Sequence, residues 1–190
     1  MDQAVIDFLL RRRSAKPALL GEPGPSSADL ATILTAASRV PDHKKLVPWR
    51  FIVFEGDARQ RFGDRLAQIC LEEQDPEASG QRLDLERERL VRAPVVVCAV
   101  YSPRVPSPVP EIEQTLSAGA ACFNLCLAAN ALGYGTSWIT EWYAFSPAVA
   151  RELGLAATEK VAGFIYIGTA TEDQPDRDRP DLAEIVTRWT

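Results

Sequence analysis

Two rhythms of apolar residues run along the chain. Between residues 4 and 12 apolar side chains stand at 5, 6, 8, 9 and 10, ahead of Arg11, Arg12 and Arg13; the spacing predicts a short first helix whose C-terminus is favoured by cations. LLGEPGPSS is a turn-rich connector. Ser26 or Ser27 then caps a helix that reaches about Arg39, with Leu30, Ile33, Leu34 and Ala37 on one face and Pro41 closing it. Phe51 to Phe54 reads as a strand, and Glu55-Gly-Asp turns into a helix carrying Phe62, Leu66 and Ile69. On that helix Arg59 is expected to be solvated. Residues 73 to 92 are polar, with Leu83, Leu85 and Leu90 as anchors, which predicts a solvent-facing helix or a flexible cover.

The second half repeats the contrast. Residues 93 to 101, APVVVCAVY, form a continuous apolar run of strand length, and the breaker-rich SPRVPSPVP after it is a loop with little to order it. Residues 111 to 132 make the longest helical segment. Small residues surround much of it, which allows close approach on several sides and suits a central helix, one that a second subunit can share. It stops at Gly133. Tyr134 to Thr140 is a short strand or extended segment; Ser146-Pro147 opens a helix ending near Leu153; Val161 to Gly168 is a last strand. The tail DRDRPDLAEIVTRW is charged and then amphipathic, as though it packs on a neighbour. Strands and helices mix without strict alternation, so the expected class is α+β, a small central sheet covered by helices, with residues 1 to 190 as a single domain.

Composition narrows the function. The chain is 46% apolar and 25% charged, a globular balance, and its net charge of −5 argues against nucleic acid or an anionic membrane as the main partner. No run of eighteen apolar residues is uninterrupted, and MDQAVIDFLLRRR puts its charges after its apolar part, opposite to a signal peptide; a cytoplasmic location is expected. Cys70, Cys98, Cys122 and Cys126 form no C-x-x-C, and with one histidine a Cys/His metal site is poorly supplied. Cys122 and Cys126, one helical turn apart, read as buried thiols. There is no phosphate-binding G-x-x-x-x-G-K-[ST], no third glycine after Gly133 and Gly135, and no G-x-S-x-G.

What remains is a set of basic residues at turns. Arg12, Arg13 and Ser14 end the first helix, Arg39 and His43 follow the second, and Arg177 and Arg179 precede Pro180. Each alone reads as a solvated or hydrogen-bonding residue. Together they could converge on one bound phosphate.

Arg12-Arg13-Ser14, the R-x-P-D-H-K stretch with P-W-R-F-x-V, the long helix ending in A-L-G-Y-G-T-x-W, and G-F-I-Y-I-G-T-A followed by R-x-R-P-D-L span nearly the whole chain in order. In these the sequence resembles the nitroreductase family of flavin enzymes, and within it the small single-domain branch with an A-P-D-H-K-like signature. The resemblance implies a nitroreductase-like α+β fold with a mostly antiparallel sheet. It implies a homodimer with the long helix at the interface, FMN bound between subunits, and NADH or NADPH as co-substrate. Carried over by position, Arg12, Arg13 and Ser14 match the flavin-binding R-R-S, Arg39 and His43 the next contacts, Trp138, Ile139 and Thr140 the segment along the flavin, and Arg179 a late basic residue near the phosphate. The small branch varies at that last position, and Arg177 is the alternative. Arg12 suits either the ring edge or the ribityl-phosphate side, and one of Lys44 and Lys45 is expected to approach the site.

The implied mechanism is ping-pong hydride transfer from NAD(P)H through FMN to a nitroaromatic, quinone or other electron-poor small molecule. It needs no catalytic side chain, because the flavin carries the chemistry. The alternative is a flavin-binding protein without efficient turnover, a carrier, sensor or flavin-consuming enzyme. His43 and Lys44 stand where many relatives have Ser and Asn, and no arginine lies near position 139, where the branch tends to place one.

Overall fold

The computed structural model describes residues 2–190. Helix α1 (Gln3–Arg11) carries the first amphipathic pattern, yet none of its residues is buried. Strand β1 (Leu20–Gly21) is a two-residue element that the pattern did not mark. Ser26 caps α2 (Ser27–Ala37) by accepting from the Asp29 N–H at 3.1 Å, which satisfies one of the free donors of the first turn. Then come β2 (Trp49–Glu55), α3 (Asp57–Ile69), α4 (Gly80–Arg87), β3 (Val95–Tyr101), α5 (Glu111–Ala131), β4 (Gly135–Ile139), α6 (Pro147–Glu152), β5 (Lys160–Ala170) and α7 (Leu182–Ile185).

All strand pairs are antiparallel. β5 lies between β3 and β4, β2 pairs with β3, and β1 joins the far end of β5 through Leu20 and Ala170. Every side chain of β3 is buried, as a strand covered on both faces requires. Alternation splits them: Val96, Cys98 and Val100 join Phe62, Leu66, Phe164 and Tyr166 in one cluster, while Val95, Val97 and Ala99 join Leu30, Ile33, Cys122, Leu125 and Ile167 in another. The sheet therefore has α3 and α6 on one side and α2 and α5 on the other.

Helix α5 covers the sheet with Ala118, Ala121, Cys122, Leu125 and Ala129. Its Ile112, Leu116 and Phe123 are exposed. All four thiols are buried and free; burial pushes Cys98 and Cys122 up to about 12 and Cys126 to about 11. Among the described residues no cluster of metal-ligating side chains occurs, and no helix is long and apolar enough to cross a membrane.

Three expectations need correction. Residues 73 to 92 are largely solvent-facing and Leu90 is a buried anchor, as expected, but the Glu86 carboxylate is fully buried, because it accepts from Arg82 and Arg89 of the same segment and from the Trp142 indole. Arg59 is not free in solvent either, since it donates to the Ala93 carbonyl at 2.6 Å. The loop after β3 is ordered by Gln114, which accepts from the Arg104 N–H at 2.8 Å and donates to the Val109 carbonyl at 3.3 Å. The apolar side chains of the tail, Leu182, Ile185, Val186 and Trp189, are exposed.

Candidate functional site

The chain leaves α1 at Arg12, whose N–H still closes onto the Phe8 carbonyl at 2.9 Å. The Arg12 guanidinium lies over the ring of Phe123 on α5, 5.8 Å from its centroid, within the reach of a cation–π contact. Next, Arg13 donates to the Pro175 carbonyl and pairs with Asp176 Oδ1 at 3.5 Å. Arg179 approaches the same oxygen at 4.0 Å. The two ends of the sequence thus meet, and two guanidiniums share one carboxylate. Ser14 is exposed. The Ala15 N–H donates to the Thr136 carbonyl at 2.9 Å, which fixes the Arg-Arg-Ser segment beside β4.

Along β4, the Trp138 indole donates to the Ala162 carbonyl at 3.1 Å and lies against Gly163. A Cβ at Gly163 would meet the indole nitrogen at 2.1 Å, and the residue's φ of 155° also favours glycine. Trp138 keeps 40% of its surface exposed. Ile139 packs at the edge of the core and Thr140 faces solvent.

Helix α5 also holds Arg39 and His43, the first next to Phe123 and the second about three turns earlier. Asn124, next to Phe123, donates to the Ala36 and Arg39 carbonyls at 2.8 and 3.3 Å. His43 Nδ1 is 2.7 Å from Glu113 Oε2. The pair borders a groove of about 350 Å³ with Pro41, Asp42, Leu116 and Ser117. The turn after His43 is strained: Lys44, Lys45 and Val47 have φ of 62, 55 and 50°, conformations that cost a non-glycine residue about 1–3 kcal/mol and gather at functional places. Asp42 holds the turn by accepting from the Leu46 and Val47 N–H groups at 3.1 and 2.7 Å.

Arg13 and Arg179 therefore meet at Asp176, and the Ala15–Thr136 bond sets the Arg-Arg-Ser segment beside β4, the strand that carries Trp138 and Ile139. His43 stands apart, against a residue eleven positions before Asn124 on α5, which is about 16 Å along a helix. Arg177 contributes its backbone N–H to Asp176 at 2.9 Å. The sequence reading missed Phe123, Glu113 and Asp176. Phe123 had a signal, as the one aromatic residue in a helix of small side chains; Asp176 had none, because D-R-D-R looks like a solvated charge run.

Behind β4 lies a buried ionic cluster. Glu141 accepts from Arg89 and Arg92 at 2.7 Å each and from the Tyr143 hydroxyl at 2.8 Å. Glu86 accepts from Arg89 at 3.1 Å and from the Trp142 indole at 2.8 Å. Arg92 also reaches the Tyr166 hydroxyl at 3.0 Å. Burial opposes the charge of Arg92, but Glu141 and the Tyr166 hydroxyl together outweigh it and hold the guanidinium above its ordinary value. Burial likewise opposes the Glu141 charge, and Arg92 and Tyr143 overcome it and hold this carboxyl below the usual range. The cluster anchors the residue that follows the Trp138–Thr140 segment.

With this geometry in place, comparison with known proteins is decisive: the model of the nitroreductase family matches residues 9–169. The chain belongs to the nitroreductase family. It is 36% identical over 167 residues to YdjA of Escherichia coli strain K12, provisionally named an NAD(P)H nitroreductase, covering 86% of this chain and 87% of YdjA. Among solved structures it resembles a nitroreductase-like family protein from Bacillus cereus with a TM-score of 0.85 at 19% identity, over 97% of this chain and 95% of that one. It also resembles a variant of the FMN and NADPH-dependent nitroreductase NfnB from Sphigopyxis sp. strain HMH, with a TM-score of 0.76 at 21% identity, over 97% and 98% of the two chains. These structural likenesses show a nitroreductase fold, α+β with an antiparallel sheet, as the sequence resemblance implied.

Proposed function

We propose that this nitroreductase-family chain is an FMN-dependent NAD(P)H oxidoreductase that works as a homodimer and reduces a small electron-poor acceptor such as a nitroaromatic or a quinone. The observation that carries the reading is the convergence of Arg13 and Arg179 on one carboxylate oxygen. Residues from the two ends of the sequence already gather around an anion, and a phosphate dianion asks for the same guanidinium partners. The names of YdjA and NfnB supply the chemistry that such a site serves in relatives.

In this reading Arg13 and Arg179 hold the phosphate, with the exposed Ser14 hydroxyl as a further donor. Arg12, steadied by Phe123, adds positive charge beside the bound group. Trp138, Ile139 and Thr140 flank it, with Trp138 offering the apolar surface. Bound FMN supplies the capacity to take a hydride from NAD(P)H and pass it to the acceptor. No side chain is required as nucleophile, consistent with four buried thiols, of which Cys98, Cys122 and Cys126 are raised by burial.

Arg39 and His43 complete the site from a second copy of the chain. Two features support dimerisation: the distance of His43 from the Arg13 region, and apolar side chains left exposed on α1 (Val5, Ile6, Leu9, Leu10), α5 (Ile112, Leu116, Phe123) and the tail (Leu182, Ile185, Trp189). So much unpartnered apolar surface marks an interface.

The test is spectroscopic. Purified protein should be yellow, or become so with FMN, and should bleach on anaerobic addition of NADH or NADPH. A flavin that stays oxidised with both nicotinamides would leave a flavin-binding protein without turnover; failure to take up FMN would end both readings.

A further inference from the structure

The segment after β5 runs as a strap. Its start is tied down where the Thr171 N–H donates to the Leu19 carbonyl at 3.0 Å, five residues after Ser14. It then crosses Arg13, whose guanidinium takes the Pro175 carbonyl and the Asp176 carboxylate, and presents Arg179 to the same carboxylate. Arg13 is mostly covered, with 19% of its side chain exposed, whereas Asp176 keeps 82%. Asp176 thus brings no buried partner to the fold. Its carboxyl lies below the usual range, chiefly through the Arg177 N–H and then through Arg13 and Arg179.

We propose that Asp176 is a built-in stand-in for the cofactor phosphate: it occupies the shared position between Arg13 and Arg179 in the empty protein and yields that position when a phosphorylated flavin binds. The inference rests on the functional reading above and adds a determinant to it. A single negative charge can keep two guanidiniums together at the surface, where two unopposed cations would repel and splay apart. A phosphate dianion carries more charge and more acceptor oxygens, so it wins the exchange. A neutral ligand cannot displace the carboxylate. Asp176 therefore tunes selection for phosphorylated over unphosphorylated flavin, lowering affinity for the first and leaving the second nearly untouched. One like charge beside the phosphate at an exposed site corresponds to about a three- to tenfold effect on affinity.

Quenching of flavin fluorescence during titration with FMN and, separately, with riboflavin tests this in the full-length protein. Asp176→Asn should bind FMN about three- to tenfold more tightly than the wild type and riboflavin equally well. Asp178→Asn, which removes a charge from the same exposed strap two residues farther on, should bind FMN within about twofold of the wild type. Unchanged or weaker FMN binding by Asp176→Asn overturns the inference and assigns Asp176 to holding the arginines in place. Equal tightening by Asp178→Asn, or tightening toward riboflavin, overturns it as well, since the effect is then general charge or fold. In each of those cases wild-type FMN binding keeps the functional reading intact. A wild type that binds no FMN sinks that reading, and this inference falls with it.

Discussion

Arg89 and Arg92 lie behind the sheet with their guanidiniums taken up by Glu86 and Glu141, whereas Arg12, Arg13 and Arg179 stand beside β4 with an aromatic face, a backbone carbonyl and one exposed carboxylate as partners. The residue type is the same and the surroundings are opposite. Behind the sheet, carboxylates, indole and tyrosine hydroxyls saturate the donors, so the charges can be buried and the cluster holds β4 to the helical layer. Beside β4 the donors have partners that a ligand can replace. An arginine speaks for a ligand when its own partners are weak or mobile, and for the fold when they are strong and dry.

The sharpest way to break this comparison is to remove Glu86. Glu86→Ala leaves Arg89 and the Trp142 indole short of an acceptor inside the protein, and removing one partner of a buried ion pair costs about 3–5 kcal/mol. Denaturant unfolding should show a loss near the lower end of that range. A loss below about 1 kcal/mol would mean that the cluster does not support the fold.

On the other side, Arg13→Ala should leave unfolding almost unchanged and weaken FMN retention by about tenfold or more, the worth of a charge-assisted hydrogen bond. Arg12→Ala should behave in the same way. Arg61→Ala is the proper control, because Arg61 is exposed on α3 while Arg59 is tied to Ala93. If all three retain FMN equally, the distinction between the two arginine sets has no functional meaning.

Leu116→Glu tests whether the exposed face of α5 is an interface. Light scattering should show a shift from dimer to monomer at micromolar concentration, with parallel loss of FMN. A wild type that is monomeric and still binds FMN tightly would refute the two-copy site.

The smallest expected effect concerns Glu159, which receives Arg50 in two hydrogen bonds at 2.7 and 2.8 Å. That pairing, helped by the Ala156 N–H, overcomes partial burial and holds the carboxyl at about 2. Its folded value lies below its unfolded one, so the stabilisation is present above about pH 4.5 and is lost as pH falls toward 2. Glu159→Gln should be less stable near neutrality by no more than about 2 kcal/mol, and it should lose less on acidification than the wild type does. Parallel acid-unfolding curves would assign the pairing no weight.

All strands but β1, the long helix and the Arg-Arg-Ser turn were legible because their cause is local: an apolar run, a helical spacing, a cation at a helix end. Ser26 and Ser146 were legible as caps for the same reason. The buried cluster was not. E-R-E-R-L-V-R around Glu86 has the composition of a solvated face, and its burial comes from Glu141, Trp142 and Tyr166, more than fifty positions away. His43 with Glu113, and Arg13 with Asp176, are equally non-local. The sequence names the donors; only the fold names what they face.

Gly163 and Trp138 belong to strands that meet only through folding, yet the indole rests where a side chain at 163 would have to go. The two positions form one steric unit. Enlarging residue 163 must displace the indole, and shrinking residue 138 opens the space it fills. A designer wishing to widen or narrow the acceptor range of this chain would do best to vary the pair jointly, as a dial with the backbone as its fixed frame.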